Sequence, residues 1–369
     1  MKSDLKDSRP KDYLYFEMLK DHLGGGLGRI FSGNLIYPRQ AEFHLPGDGT
    51  HPCNFNCYYC QARRLKKDLG HWEKEVLSLI DKLGGKIRWL IFGGQYTEPL
   101  LNPYFLDFVI KTKKWGSHYG LHTNGSLLKE VAHDLARLAT SAKDFITCSL
   151  DAGSPESHAK VKNLKSNEFD HVIEGLEMLM KFRGAKSFPA VRVTYLMNKQ
   201  NAISAEIKNA VAIMRRIKPD TFRFSIPYAH YGEDFSAVKR YRKSIELNYE
   251  KEYFNLIAPY LSQKPERPFI SWLPTWSQDV NRLTFERCIY GYFAVTFGAD
   301  GWLYRCPSIA ASDFKSCRLG RITSDLGQFK RMIARGQDPD WKPAVCYKQG
   351  GRCNRVAIEI NDTWRKHDA

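Results

Sequence analysis

Three cysteines fall within eight residues of this chain, in the run Cys53-Asn54-Phe55-Asn56-Cys57-Tyr58-Tyr59-Cys60. A loop that short aims three thiolates at one point, which is how a protein holds a metal cluster. Four cysteine ligands close a four-iron cluster. Three leave one iron without a protein ligand, open to a reacting group. The alternative is a structural zinc site completed by a residue such as His51. Zinc loops, however, usually pair their cysteines as Cys-x2-Cys or mix them with histidine.

The remainder of the 369 residues suffices for one large domain and a smaller one. With 43% hydrophobic and 13% aromatic residues, the composition is that of a soluble globular protein. No apolar run approaches the ~20 residues of a membrane span. Residues 1–16 lack the apolar centre of a secretory signal, so a cytoplasmic location is expected. The nine cysteines are odd in number and gathered in short motifs, a pattern of metal ligands rather than cystines. Lys+Arg exceed Asp+Glu by 16, 56 against 40. The excess is spread along the chain, apart from Arg63-Arg64-Leu65-Lys66-Lys67, and no nucleic-acid motif accompanies it. It reads as a solvated surface that attracts an anionic substrate or an acidic protein, and nucleic acid is not an expected partner.

Residues 1–39 read as a leader packed on a domain edge. The run Gly24-Gly25-Gly26-Leu27-Gly28 lacks the strand, helix and Lys-Ser/Thr of a phosphate loop. From residue 40 the periodicity switches repeatedly. Strands are expected over 41–45, 87–92, 119–123, 145–150, 190–196 and 221–225. Helices are expected over 72–83, 104–115, 128–138, 169–182 and 205–217. Such alternation means β/α crossovers and a parallel sheet, whose chemistry sits at the carboxyl ends of the strands. A further helix over 249–261 and a linker at 263–268 end this domain, 40–262. A second domain, 263–369, begins with a hairpin: strands over 292–297 and 302–304 flank the turn Gly298-Ala299-Asp300-Gly301, between Cys288 and Cys306.

The cysteine spacing, with the aromatic Tyr59 just before the third thiol, resembles the radical S-adenosylmethionine (SAM) enzymes. The resemblance implies an α/β fold, a partial (β/α)6 TIM-like barrel, with a [4Fe–4S] cluster on Cys53, Cys57 and Cys60. It implies that the open iron chelates the amino and carboxylate groups of SAM. Reductive cleavage then yields a 5′-deoxyadenosyl radical that abstracts a hydrogen atom from substrate. Other strand ends carry matching motifs. Gly93-Gly94-Gln95-Tyr96-Thr97-Glu98-Pro99 stands where the family has Gly-Gly-Glu-Pro. Gln95 occupies the usual acid position and Glu98 follows three residues later, so either is a candidate acceptor for the SAM ammonium. Thr123-Asn124-Gly125 resembles the family's Thr-Asn-Gly. Ser149 and Asp151 are expected to face the ribose or methionine end of the cofactor. Arg192 is a candidate cation for its carboxylate, or a surface residue of an alternating strand. Tyr228 follows the sixth strand as a lining residue.

The C-terminal cysteines resemble the start of a SPASM/twitch extension, which holds auxiliary clusters. Five cysteines do not fully ligate two clusters. The expectation is therefore a twitch-like domain with one auxiliary [4Fe–4S] cluster on Cys288, Cys306, Cys346 and Cys353. Cys317 is either a replacement ligand or a free thiol able to donate a hydrogen atom, and Cys148 a buried small hydrophobe. The implied activity is of oxidoreductase or isomerase type. Its substrate would be a small polyhydroxylated molecule (an aminosugar, cyclitol or nucleotide sugar), undergoing oxidation, epimerisation or elimination. A peptide or protein substrate is the alternative, although residues 1–40 look too short for the winged-helix leader-binding domain of many peptide maturases. Flavodoxin or ferredoxin is the expected electron donor. A non-catalytic iron–sulfur or zinc module is the remaining reading.

Overall fold

The computed structural model describes residues 15–24, 30, 34–60, 69–94, 97–165, 167–227, 250–273, 287–310, 315–338, 340–341 and 355–368. Gln95, Tyr228, Cys346, Cys353 and the basic run 63–67 lie outside the described residues. Helix α1 (Tyr15–His22) leads into β1 (Gln40–His44), α2 (Glu73–Leu83), β2 (Trp89–Gly93), α3 (Phe105–Lys114), β3 (His118–Thr123) and α4 (Leu128–Leu138). Next come β4 (Phe145–Ser149), α5 (Pro155–Lys162), α6 (Phe169–Arg183), β5 (Ala190–Leu196), α7 (Ser204–Ile217) and β6 (Thr221–Ser225). Beyond them lie α8 (Glu250–Ile257), β7 (Phe269–Leu273), the four-residue α9 (Tyr290–Phe293), β8 (Ala294–Phe297) and β9 (Trp302–Tyr304). The chain closes with β10 (Arg318–Arg321), α10 (Leu326–Gln337) and α11 (Arg355–Asp368).

All ten strands form one sheet, in the order β10-β9-β8-β1-β2-β3-β4-β5-β6-β7. Neighbours from β8 through β7 pair in parallel. The β8–β9 and β9–β10 pairs are antiparallel. The sheet ends at β10 and β7 and does not close. It is thus the parallel sheet that the alternation of elements predicts, in the partial-barrel form that the family resemblance implies. The six expected strands form, each within two residues of its predicted span. Two more parallel strands flank them. β7 continues from β6, and β8 lies along β1 although its hairpin is expected in a separate domain. The sheet therefore runs unbroken across residue 263.

The helices bury one stripe each against the outer face of the sheet. In α4 that stripe is Leu128, Ala132, Leu135 and Ala136, the spacing of one helical face. Pro155 at the first turn and Ser154, whose side chain accepts the Ser157 amide, start α5; Asn163, left-handed at φ 52°, ends it. A second, smaller core joins Phe16 and Leu19 of α1, and Leu23 just after it, to Ile289, Tyr290 and Phe293 near α9, and to Ile360 and Trp364 of α11. Cys288 and Cys306 pack against its edge.

Phe43 holds the β8–β1 seam. It is 2% exposed, stacks on Phe297 at 4.5 Å between ring centroids, and meets Phe92 at 5.5 Å. A Phe→Ala change at such a site removes about 3–5 kcal/mol through lost burial and a residual cavity. Phe43→Ala is expected to lower unfolding stability by that amount in denaturant titrations of the full chain.

Candidate active site

Strand alternation divides the sheet chemically. Ala41, Phe43, Leu90, Phe92, Leu121, Ile146, Val191, Val193, Phe222 and Phe224 point outward into the main core. The register places Glu42, His44, His122, Thr147, Arg192 and Arg223 on the opposite, inner face, with Ser149, Thr194 and Ser225 nearer its carboxyl end. A closed, packed barrel fills that face with branched apolar side chains. Here it is polar. His122 is exposed, and Arg192, Arg223 and Ser149 are half-buried, so the concave face is an open lumen. The protein walls around the lumen desolvate His122 and push its pKa down to about 4; Glu42 opposes this, and Arg192 and Arg223 add to it. Glu42 sits 3.0 Å from His44 Nε2.

The cysteine loop covers the carboxyl end of this lumen, directly after β1. Its approach is a tight turn. Gly47 has φ +61°, and a Cβ there would lie 1.9 Å from the His51 carbonyl oxygen. Asp48 accepts from the amides of Thr50 and His51 and from the Thr50 hydroxyl. His51, the proposed fourth ligand of a zinc site, points away: its side chain is 73% exposed and its Nδ1 lies 3.3 Å from Asp48 Oδ2. Among the described residues no three His, Cys, Asp or Glu side chains are grouped to hold a single metal ion. A four-iron cube gives each thiolate its own iron and spreads the ligands more widely.

Three neighbours pin the loop. The Asn56 and Tyr58 amides donate to the carbonyls of Lys162 (3.2 Å) and Val161 (3.3 Å) at the end of α5. The Glu98 amide donates to the Pro52 carbonyl at 2.7 Å. Asn124 Nδ2 donates to Asn54 Oδ1 (2.8 Å) and lies 3.8 Å from Cys53 Sγ, while Asn54 Nδ2 donates to the Ser126 hydroxyl. Glu98 joins two strand ends. Its Oε1 accepts from Thr123 Oγ1 (2.7 Å) and the Leu100 amide (3.1 Å), and its Oε2 from the Asn124 amide (2.7 Å). Burial raises the Glu98 pKa to about 7 against the pull of these donors. Gly93 and Gly94 leave room at the mouth: added Cβ atoms would meet His122 Cβ at 3.0 Å and Thr97 Oγ1 at 2.5 Å. Ser149 faces the lumen, its Oγ accepting from Thr194 Oγ1 at 3.3 Å.

Asp151 departs from the role the sequence suggests. Expected at the ribose or methionine end of a cofactor, it is fully buried with both carboxylate oxygens engaged by protein. Oδ2 accepts from Tyr59 Oη (2.6 Å) and Lys162 Nζ (2.5 Å), and Oδ1 from the Leu196 amide (2.7 Å). Tyr59 is tied into this network, and Lys162 Nζ also donates to its hydroxyl at 3.1 Å. Arg192 lies deeper than a carboxylate-binding cation at the mouth would. It is the third residue of β5, four residues or roughly 13 Å short of the strand's end, with its guanidinium 4.4 Å from the Phe145 ring centroid. Sequence reasoning missed Lys162. The only signal was a lysine near the end of a short Pro-initiated helix, indistinguishable from a surface residue.

The C-terminal cysteines are placed in part. Cys288 Sγ accepts from Asn361 Nδ2 at 3.4 Å, and Asn361 is fully buried. Cys306 follows β9 and starts a short helical turn at Pro307. Both act on the phenol of Tyr290, whose pKa is raised first by burial, then by Cys306 and less by Cys288. Cys317 is fully buried before β10, three strands from β1 or roughly 14 Å along the sheet, and is not brought to Cys53, Cys57 and Cys60. Cys148 is fully buried in the main core.

The three loop thiols form no disulfide among the described residues, are half-buried and are chemically suited to an iron cluster. Burial pushes the Cys53 thiol up to about 12, with Glu98 adding to the shift, and burial also raises Cys57. Thiolates in such a setting are stabilised by a bound cationic centre. A three-thiol loop pinned over the open carboxyl end of a partial parallel barrel defines a radical SAM fold. Residues 49–218 match the family model of the Radical SAM superfamily, and this segment of the chain is a radical SAM domain.

Among curated proteins, the probable GTP 3′,8-cyclase of Saccharolobus solfataricus is 30% identical over 156 residues, 41% of this chain and 47% of that one. Its counterpart in Sulfolobus acidocaldarius is 27% identical over 170 residues, 45% and 50% of the two chains. The chain spans about half the length of the curated relatives it matches. Streptococcus suis SuiB bound to its precursor peptide SuiA superposes with a TM-score of 0.61 at 14% identity, over 98% of this chain and 78% of that one. The structure of anSMEcpe with bound AdoMet and the Cp18Cys peptide gives 0.51 at 14% identity, over 90% and 95%. At that identity the likeness is one of fold. Among the described residues no helix is long and apolar enough to cross a membrane.

His158 of α5 offers a pH test. It is fully buried between Phe55 and Phe169, and neither ring nitrogen has a hydrogen-bond partner among the described residues. Burial, then Lys162, push its pKa down to about 3. The unfolded chain then binds the proton more readily, so stability is lost as pH falls from about 6.5 towards 3, by roughly 5 kcal/mol at the acid limit. His158→Leu is expected to flatten that part of the stability–pH curve, measured by chemical denaturation at stepped pH.

Proposed function

We propose that this protein reductively cleaves SAM and abstracts a hydrogen atom from a small, hydroxyl-rich substrate held in the lumen beneath Cys53, Cys57 and Cys60. The observation that carries this reading is a polar inner face under a three-thiol loop, where a packed barrel would be apolar. When bound, a [4Fe–4S] cluster with SAM on its open iron supplies the 5′-deoxyadenosyl radical. The chain's own part is to hold and orient. Gly93 and Gly94 give backbone clearance, and Thr123, Asn124 and Ser149 line the mouth for the methionine and ribose. The SAM ammonium goes to Gln95 or to the remaining lone pair on Glu98 Oε2. Asp151 and Tyr59 act through the loop rather than on SAM. In the lumen, Thr147, Thr194 and Ser225 suit hydroxyl groups, and Arg192 and Arg223 suit a phosphate or carboxylate of a substrate such as a nucleotide sugar.

Cys288 and Cys306, with Cys346 and Cys353, are proposed to hold one auxiliary [4Fe–4S] cluster in a twitch-like segment. Full burial of Cys317 favours packing or ligation there over hydrogen-atom donation. An acidic flavodoxin or ferredoxin suits the excess of 16 positive charges as electron donor. A peptide substrate is the second reading, favoured by the breadth of the fold likeness to SuiB, a protein seen with its precursor peptide.

Three measurements test this. Cys57→Ala is expected to lose about four irons per chain and all 5′-deoxyadenosine formation; continued formation overturns the reading. Assays of the wild-type protein with nucleotide sugars and with peptides separate the two substrate classes. With a phosphorylated sugar, Arg192→Gln is expected to raise KM about tenfold or more, the loss of one charge-assisted hydrogen bond.

A further inference from the structure

Lys162 is buried and touches the cysteine loop with both its backbone and its charge. Its side chain is 2% exposed, and its Nζ lies 2.5 Å from Asp151 Oδ2 and 3.1 Å from the Tyr59 hydroxyl. Its carbonyl accepts the Asn56 amide, and that of Val161 accepts the Tyr58 amide, so the end of α5 grips the residues on both sides of Cys57. Asp151 is as deeply buried, fixed from the far side by the Leu196 amide at 2.7 Å. A full positive and a full negative charge thus sit in a water-poor layer immediately behind three cluster ligands.

We infer, on the strength of the radical SAM reading, that Lys162 and Asp151 are a charge pair that sets the reduction potential of the cluster on Cys53, Cys57 and Cys60, with Lys162 raising it. Cluster potentials follow net charge, hydrogen bonding and exposure around the sulfurs. The added electron of the reduced cluster is stabilised by a cation and destabilised by an anion. Burial opposes the Lys162 charge, but the Asp151 carboxylate 2.5 Å away holds the lysine protonated. Of the two charges, that of the lysine eases reduction by a weak physiological donor and that of the aspartate opposes it. The pair also forms only when α5, β4 and the loop are in register, so Lys162 is a positioning residue as well.

The test is an electron paramagnetic resonance redox titration of reconstituted full-length protein. The signal that changes on adding SAM identifies the cluster concerned. Lys162→Gln keeps a donor and removes the positive charge; Asp151→Asn keeps an acceptor and removes the negative one. The lysine variant is expected to shift the midpoint downward by about tenfold in the reduction equilibrium, 59 mV for one electron, and the aspartate variant to shift it upward. Loosening of the loop alone would move both in the same direction, and shifts of one sign, or none, overturn the inference. The double variant leaves no unpaired buried charge and stays readable where a single variant does not hold its iron. Its midpoint is expected between those of the two single variants, and a value outside that interval overturns the inference. Absence of any SAM-dependent signal in the wild type would instead overturn the radical SAM activity itself.

Discussion

A buried carboxylate organises the site. Asp151 leaves β4 in the left-handed region, at φ 58°, which turns its side chain back into the protein instead of out over the lumen. From there it binds the amide that ends β5, the ammonium that ends α5 and the phenol of the cysteine loop. Its own carbonyl accepts from Asn201 Nδ2 at 2.8 Å. Removing an ion pair of this depth from water costs several kcal/mol per charge, which mutual attraction offsets only when the remaining polar contacts are satisfied. Both carboxylate oxygens are engaged here. Such an arrangement contributes little net stability and much specificity, since a slipped loop leaves two buried charges unpaired.

That specificity matters because the loop has little packing of its own. Of residues 53–60 only Phe55 is buried, at 8% exposure. The loop is held instead by polar contacts to three successive strand ends. Glu98 bridges the β2 and β3 ends, Asn124 reaches from β3 to Asn54, and Asp151 reaches from β4 to Tyr59. The motifs that look like separate cofactor contacts in the sequence are, in the fold, first a scaffold for the cysteines. Ser149, Gly93 and Gly94 remain at the mouth with fewer demands from the protein itself.

Much of this was legible before any coordinates. Strands β1–β6 betray themselves because their outer residues alternate with polar inner ones or run apolar between clear turns. The cysteine spacing and its place after β1 need no tertiary information. β7 was missed because five residues, Phe269–Leu273, are too few to separate a strand from a buried turn, and the prolines before them read as a linker. The place of β8 depends on pairing with a strand some 250 residues earlier, which periodicity does not encode. Glu98 was found but with its work half described, since its bonds to Thr123 and Asn124 are long-range. Lys162 and Asp151 lay furthest from view: a buried charge pair leaves no pattern in either segment alone.

The unbroken sheet also constrains how the C-terminal thiols relate to the first three. β8 is both the partner of β1 and the second half of the segment that starts at Cys288. A shift of one residue in the β8–β1 register would turn Phe297 from the core to the lumen and displace Cys288 and the hairpin leading to Cys306. The Phe43–Phe297 stack opposes that shift, because both rings must stay outward to meet Phe92 and Phe329. The same apolar contact that closes the core at this seam therefore fixes where the second group of cysteines stands relative to the loop after β1. The placement of Cys288 and Cys306 relative to that loop is thus determined by strand register.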